Sequence, residues 1–409
     1  MTSASKRLVW IFNHYATTLD EGYGGRSYYQ AKELANRGYE VVLIIAKNHH
    51  LKFRNKTTKS QKSENLAFKV VRLPTLPYQS GMQLFRVCNW FMYLVFALFF
   101  ILGSGTKPNL VIVSIPTNVT GLLVKFFERF LKIRVILDVR DVWPMTLKNL
   151  NNKFHHRLIY WILSKFEKLS YAHASVIISP LPALQKRLIE LKCNKKLYFL
   201  PTGIEITRSP CRSLSVKKNI EKHREINVCY MGTVGNTNAL SCYFDLASSF
   251  QASHPNVKFY LIGEGHKKAS YQFECKKRGL MNVIFKPAVP KQDVLERLSS
   301  FDVLFLSWHP HDTYQYGIGP NKLGEYLASG VPILHVYSGN KDPIEQYGCG
   351  ITVPSGNTRI LGEALLDIIN ADSQLRTRWS HNSKTAVSTI FDNRKVGEKL
   401  DHIINEIIK

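Results

Sequence analysis

Read from its amino terminus, the chain alternates short apolar runs with longer stretches of helical periodicity. "LVWIF" (8–12) precedes Gly24–Gly25 and "SYYQAKELANRG" (27–38), which predicts a helix closing at Gly38, and "EVVLII" (40–45) follows at once. "LVIVS" (110–114), "IRVILD" (133–138) and "SVIIS" (175–179) continue the series, with helically spaced apolar residues over 118–131 and 157–172. Continuous apolar runs separated by helices predict a parallel sheet covered on both faces.

A polar stretch, 208–225, lacks any sustained apolar period and is the predicted linker. The alternation then restarts with "INVCY" (226–230), "VKFYLI" (257–262), "NVIFK" (282–286), "FDVLFLSW" (301–308) and "VPILHVY" (331–337). The pattern predicts an α/β protein of two doubly wound, Rossmann-like domains facing across a cleft. The first covers 1–207 and the second 226–385, and a helical segment, 386–409, is expected to pack back on the first. In such sheets ligands bind beyond the carboxyl ends of the strands. Glycines gather at those ends: Gly24–Gly25, Gly232 and Gly235, Gly263 and Gly265, Gly317 and Gly319.

"YGIGPNKLGEYLASGVP" (316–332) lies between two of the apolar runs. Pro320 and Asn321 suit the first turn or cap of a helix and Gly330 its end. Lys322 and Glu325 then share a face near the amino-terminal end. There they either form an i,i+3 surface ion pair or serve an anionic ligand, which free backbone N–H groups favour.

Charge changes the picture. In 409 residues, 55 Lys and Arg against 30 Asp and Glu give a formal net charge of +25. Such a field draws nucleic acid, anionic lipid or a phosphorylated substrate. No zinc-finger spacing, arginine-rich tail or basic repeat is present, which argues against nucleic acid. Seven scattered cysteines without metal-ligand spacing fit a reduced, cytoplasmic protein. Lys6 and Arg7 precede only "LVWIF", a first strand rather than the core of a signal peptide. "VCNWFMYLVFALFFIL" (87–102) is nearly continuous apolar sequence, slightly short for a bilayer span and interrupted by Asn89. The preceding "KNHHLKFRNKTTKSQK" (47–62) holds six Lys or Arg and no acid. Helix 87–102 is therefore either buried, spanning, or a membrane-surface helix assisted by that basic loop.

Taken together, the Gly24–Gly25 loop, "LDVRDVWP" (137–144), "YMGTVG" (230–235), "LIGEG" (261–265) and "GPNKLGEYLASGVPI" (319–333) carry a resemblance over nearly the whole chain. The sequence resembles the GT-B type glycosyltransferases of the large retaining family four, closest to the bacterial branch that builds O-antigen and capsule from UDP-activated amino sugars. The resemblance implies that Glu325 holds the ribose of a UDP-sugar and Lys322 its diphosphate, with Asn321, Gly319, Gly232, Gly235, Gly24, Gly25 and Lys267 around the donor. No essential metal is implied, and no cofactor beyond the donor. "DVRDVWP" lies where the family's sugar and acceptor react, so Asp141, Arg140 and Asp138 are the expected catalytic residues, with His14 after the first strand facing the same site. Two departures stand out. Gly317 occupies the place of an earlier glutamate, leaving Tyr314, Gln315 and Tyr316 as candidates for sugar recognition. The basic pair usual after "YMGTVG" is replaced by Asn236 and Asn238, for which Lys267 or Lys268 would have to substitute.

The implied reaction is retaining transfer of an N-acetylated hexosamine or deoxyhexosamine to an undecaprenyl diphosphate-linked saccharide. The expected location is cytoplasmic, peripheral on the cytosolic face of the inner membrane against anionic lipid. A UDP-sugar 2-epimerase, a non-catalytic carbohydrate- or membrane-binding subunit and a nucleic-acid-binding protein are the competing readings.

Overall fold

The computed structural model describes residues 7–22, 24–49, 52, 66–77, 83–115, 118–145, 154–206 and 224–408. It divides into two compact units, Met1–Gly203 with Asn393–Lys409, and Ile204–Asp392. The first unit begins with β1 (Leu8–Phe12), α1 (Arg26–Asn36), β2 (Glu40–Ala46), β3 (Lys69–Leu73), α2 (Gln83–Gly103) and β4 (Leu110–Ile115). It continues through α3 (Gly121–Phe126), β5 (Arg134–Val139), α4 (Phe154–His173), β6 (Val176–Ser179), α5 (Gln185–Glu190) and β7 (Leu197–Phe199). The second unit runs β8 (Ile226–Met231), α6 (Ser241–Ser253), β9 (Val257–Ile262), α7 (Lys268–Lys277), β10 (Val283–Lys286), α8 (Val294–Ser299) and β11 (Val303–Ser307). After these come α9 (Leu323–Ser329), β12 (Ile333–Val336), α10 (Pro343–Tyr347), β13 (Gly350–Val353), α11 (Thr358–Asn370) and α12 (Ser373–Ala386). The closing helix, α13 (Asn393–Ile408), belongs to the first unit.

Among the described residues the first sheet has the order β3-β2-β1-β4-β5-β6-β7 and the second β10-β9-β8-β11-β12-β13. Every pairing is parallel. In each unit the strand order reverses beside the first strand, β1 or β8, which is where open sheets of this kind leave room for a ligand.

Side-chain alternation explains the unbroken apolar runs. Val9 and Ile11 of β1 pack in one cluster with Tyr28, Ala31 and Leu34 of α1 and with Val396, Leu400, Ile403 and Ile404 of α13. Trp10 and Phe12 point to the other face, where their rings meet Phe100 of α2 (5.0 and 6.5 Å between centroids) and Phe127 (6.4 and 5.6 Å). Both faces are dry, so both parities of the strand are apolar.

Several elements differ from the sequence expectation. β3, β7 and β13 stand outside the predicted runs. All three are sheet edges with partly exposed residues, so burial does not impose an unbroken apolar run there. The stretch 118–131 is a 3₁₀ turn (118–120), then α3, then a π turn (127–131) that ends at Lys132 with φ 57°. Segment 386–409 is not one body. Residues 387–391 form a π turn after α12 in the second unit, and α13 packs on α1 in the first. Most of the expected linker, 208–223, and most of the basic loop 47–62 lie outside the described residues.

Candidate functional site

In the second unit the site grows from the carboxyl ends of β8 and β9. The chain leaves β8 through Gly232–Gly235 and leaves β9 through Gly263–Gly265, and the two backbones run against each other. Gly232 N–H donates to Ile262 O (2.9 Å) and Val234 N–H to Glu264 O (2.9 Å). Gly263 has φ 148°, and a Cβ there would stand 1.9 Å from Gly232 O, so only glycine fits this approach. Gly235 caps the 3₁₀ turn 236–238 with extended backbone, and Lys267 caps α7. Lys268 is held by Glu264 and by Lys286 O (2.8 and 2.9 Å).

α9 closes this side. It begins at Leu323 with Lys322 as its cap, so Gly319, Pro320 and the exposed Asn321 precede the helix rather than form its first turn. Leu323 N–H turns back to Pro320 O (3.1 Å), and Gly330 ends the helix in the left-handed conformation. Tyr326, buried on the inner face, both accepts from Met231 N–H (2.8 Å) and donates to Met231 O (3.0 Å), locking the helix to the end of β8.

The i,i+3 ion pair of Lys322 with Glu325 does not form. Lys322 Nζ instead lies 2.9 Å from Tyr230 Oη and 3.2 Å from Asn238 Oδ1, over the ring of Tyr230 (4.2 Å) and near that of Trp308 (5.7 Å). Solvent reaches part of the residue, but its charged end is walled by rings, and burial pulls the ammonium down to about 7. The Glu325 carboxylate accepts from Lys291, which the 3₁₀ turn at 291–293 carries after β10. Lys291 had no sequence signal: it lies 34 residues from its partner, and only the fold brings the two together.

A second layer sits behind Lys322. Trp308 Nε1–H donates to His335 Nε2 (3.0 Å), which leaves His335 Nδ1 to carry the proton and donate to Asp342 Oδ1 (2.9 Å). His335 is fully buried and stacks on Tyr337 at 5.2 Å. Asp342 also takes Thr352 Oγ1–H and Ile344 N–H, capping α10. Burial raises its pKa, and His335, Thr352 and Ile344 outweigh that rise, leaving it below the ordinary value. Tyr314, whose carbonyl accepts from Tyr337 Oη–H (3.1 Å), is partly exposed; Gln315 is exposed and Tyr316 is fully buried. His311 caps the 3₁₀ turn 312–316, His309 is exposed, and among the described residues no group of three or more His, Cys, Asp or Glu is placed to hold a metal.

In the first unit, Gly24 and Gly25 (φ 67° and 93°) swing the chain into α1 and place Arg26 in its first turn. Arg26, like Lys291, was not singled out in the sequence. Its Nε–H reaches Asp138 Oδ1 and Oδ2 (3.0 and 2.9 Å), and its Nη1 donates to Leu200 O and Pro201 O (2.8 and 2.6 Å). Asp138, fully buried at the end of β5, thus holds α1 to the exit of β7 rather than facing solvent. His14 is equally buried, edge-on to Tyr15 (4.5 Å) and Tyr93 (5.1 Å). Arg140 is partly covered and Asp141 exposed, the two charged groups of the motif that reach solvent. Crowding raises the Asp141 pKa and the Arg140 guanidinium opposes that rise; Arg140 is itself lowered by desolvation, against Asp138 and Asp141. Beyond them, Trp143 meets Trp90 of α2 edge-on at 6.3 Å, and Trp90 Nε1–H donates to Tyr15 Oη (2.7 Å).

Residues 21–203 match the model of the "Glycosyl transferase 4-like domain" and residues 212–386 that of "Glycosyl transferases group 1". No curated protein sequence matches the chain. Among solved structures it is similar to WaaG, a glycosyltransferase involved in lipopolysaccharide biosynthesis, at 16% identity and TM-score 0.65, over 97% of this chain and 99% of that one. Sucrose-phosphate synthase of Thermosynechococcus elongatus gives 13% identity and TM-score 0.70, covering 98% of this chain and 99% of the other. HepE of Anabaena, solved with UDP and glucose, gives 13% identity and TM-score 0.64, covering 98% and 100%. These likenesses support the fold, and the two domain matches carry the activity. With a 4-like domain followed by a group 1 domain, each built on its own parallel sheet, the chain is a glycosyltransferase of the GT-B fold class.

Proposed function

We propose that the chain transfers an N-acetylated hexosamine or deoxyhexosamine from a UDP-sugar to an undecaprenyl diphosphate-linked saccharide, with retention at the anomeric carbon, in bacterial surface polysaccharide synthesis. The observation that carries the donor half is the grouping of Lys322 Nζ with Tyr230 and Asn238 at the start of α9, one turn from the Glu325 carboxylate. An ammonium among aromatic rings, beside a close pair of glycine loops, suits a diphosphate. A carboxylate suits the paired hydroxyls of a ribose. HepE, solved with UDP and glucose, supports uridine as the base.

In this reading the acceptor hydroxyl attacks the anomeric carbon from the side of the departing diphosphate. The C–O bond to the phosphate breaks with its electrons on that oxygen, which takes the acceptor's proton. Lys322 offsets the charge that develops there, Glu325 fixes the ribose, and Arg140 and Asp141 serve the acceptor. Lys267, Asn321 and Gly319 border the donor, and no metal is needed in this scheme. Residues 1–207 form the acceptor-side domain and 226–385 the donor domain, with 208–225 as the linker. The enzyme works from the cytoplasmic side of the inner membrane.

A panel of UDP-, GDP- and ADP-sugars incubated with a lipid-linked acceptor extract, read by mass spectrometry, tests this. A sugar-specific mass gain on the lipid with UDP release is expected. Transfer from GDP- or ADP-sugars alone overturns the uridine assignment, and an epimerised nucleotide sugar without an enlarged acceptor overturns transfer.

A further inference from the structure

The helical layer on the Trp10–Phe12 side of the first sheet has an outer surface that the interior does not use. α2 turns Trp90, Tyr93, Leu94, Ala97 and Ile101 inward, and Asn89 ties it to Asn48 O and Leu76 O (3.2 and 2.9 Å). That explains the polar residue in an apolar helix and fixes α2 as part of the domain. Its opposite side leaves Phe91, Val95, Phe99 (66% exposed) and Leu102 (71%) in solvent. α4 packs on α3, and both α2 and α4 rest on the turn 118–120. α4 in turn exposes Leu158, Ile159, Trp161 (59%) and Ile162, and the π turn after α3 exposes Phe130 (68%).

The elements that carry this apolar face also carry exposed basic residues. Among the described residues of 83–173, Lys107, Arg129, Lys132, Arg134, Arg157, Lys165 and Lys168 are exposed, and Lys165 Nζ stands 5.3 Å over the Trp161 ring. The acids of the stretch are few and mostly committed: Asp138 and Glu167 are buried against Arg26 and Arg187, and Glu128 pairs with His173. A second copy of so basic a face would repel the first, whereas anionic headgroups complement it. Aliphatic and tryptophan side chains with lysines alongside are the composition of a surface that sinks into the headgroup region while its cations stay wet.

We propose that α2, the Phe130 turn and α4 together form one docking face for an anionic bilayer, with α2 lying in the plane of the interface. The reading rests on the lipid-linked acceptor proposed above and adds α4 and Phe130 to the contact. Docking also bears on the acceptor motif, because the inward face of α2 carries Trp90, which abuts Trp143 two residues from Asp141.

Co-sedimentation with vesicles of phosphatidylcholine, with and without phosphatidylglycerol, tests it on the full chain. Binding should require phosphatidylglycerol and weaken at high salt. Leu158→Ser with Trp161→Ser in α4 should lower vesicle affinity about tenfold or more, as should Phe99→Ser with Leu102→Ser in α2. These side chains are exposed, so thermal stability and UDP binding should not change; retained UDP binding separates failure of docking from failure of the donor reading. An α4 variant that binds vesicles like the parent overturns the two-helix face in favour of α2 alone. Indifference to lipid charge overturns it as well, as does a dimer in sedimentation that either variant dissolves.

Discussion

Lys322 is placed where its charge is costly until a ligand arrives. Its pKa of about 7 in the free protein lies below the ordinary 10.5, and a bound diphosphate would restore the proton. UDP binding should therefore take up a proton above pH 7. Affinity should be full below that pH and fall as pH rises, by up to about tenfold per unit, over a range where the second phosphate ionisation near about pH 6 is complete. Calorimetry in buffers of different ionisation heat reads the uptake directly, and Lys322→Met should abolish both uptake and pH dependence. The stability sign runs the other way. Between about 7 and 10.5 the unfolded chain holds a proton at Lys322 that the folded chain lacks, so the fold gains stability as pH rises. Lys322→Met should accordingly raise the melting temperature most below pH 7 and progressively less toward pH 10.5. Glu325 presents a different balance, since in the proposed donor reading the ribose would have to displace Lys291. Glu325→Ala should weaken UDP by about tenfold, the low end for a charged hydrogen bond. Lys291→Met, which frees the carboxylate, should leave affinity unchanged or higher; equal losses in the two variants would place the pair outside the ribose site.

Among elements, β12 and α10 reach the proposed donor site only through Trp308. The Asp342–His335–Trp308 chain fixes the indole that walls Lys322. His335→Phe keeps the volume and removes both bonds, leaving the Trp308 N–H without a partner and Asp342 Oδ1 with Ile344 N–H alone. A stability loss of about 1–3 kcal/mol is expected. A rise in donor KM with kcat nearly unchanged marks a positioning role; a stability loss with KM untouched would make the chain purely structural. His335→Gln, which can still accept from Trp308, should recover most of the donor affinity.

For the whole molecule, the units are asymmetric. Ile204–Asp392 is continuous in sequence and holds Lys322, Glu325, Tyr230 and Asn238. Expressed alone, it should fold and bind UDP within a few-fold of the full chain, yet transfer nothing. Met1–Gly203 is incomplete, because Val396, Leu400, Ile403 and Ile404 of α13 fill the cluster against α1. Without α13 that face is open, and each missing side chain forfeits about 1.5–3 kcal/mol of burial. The 1–203 fragment should aggregate or melt early, and a peptide of residues 393–409 added in trans should restore a cooperative transition by differential scanning fluorimetry. Failure of that rescue would show that α13 does not complete this core.

The central strands and the glycine-marked crests were legible from the sequence because burial on both faces demands apolar residues at every position. Lys322 and Glu325 were legible as positions on one helical turn because glycine, proline and spacing are local signals. Of the edge strands only β10 was, from its run "NVIFK"; β3, β7 and β13 were not, since partly exposed residues there carry no such constraint. Neither were the partners of the charges: Arg26 with Asp138, Lys291 with Glu325 and Trp308 with His335 are separated by 112, 34 and 27 residues. Nor could sequence divide the apolar helix 87–102 into a face that packs on Trp10 and a face that meets solvent. Local pattern dictates which segments become strand or helix, because backbone propensity and burial period act over a few residues. Which charge meets which, and which apolar side chain remains outside, was decided only by the crossovers that bring distant strand ends together.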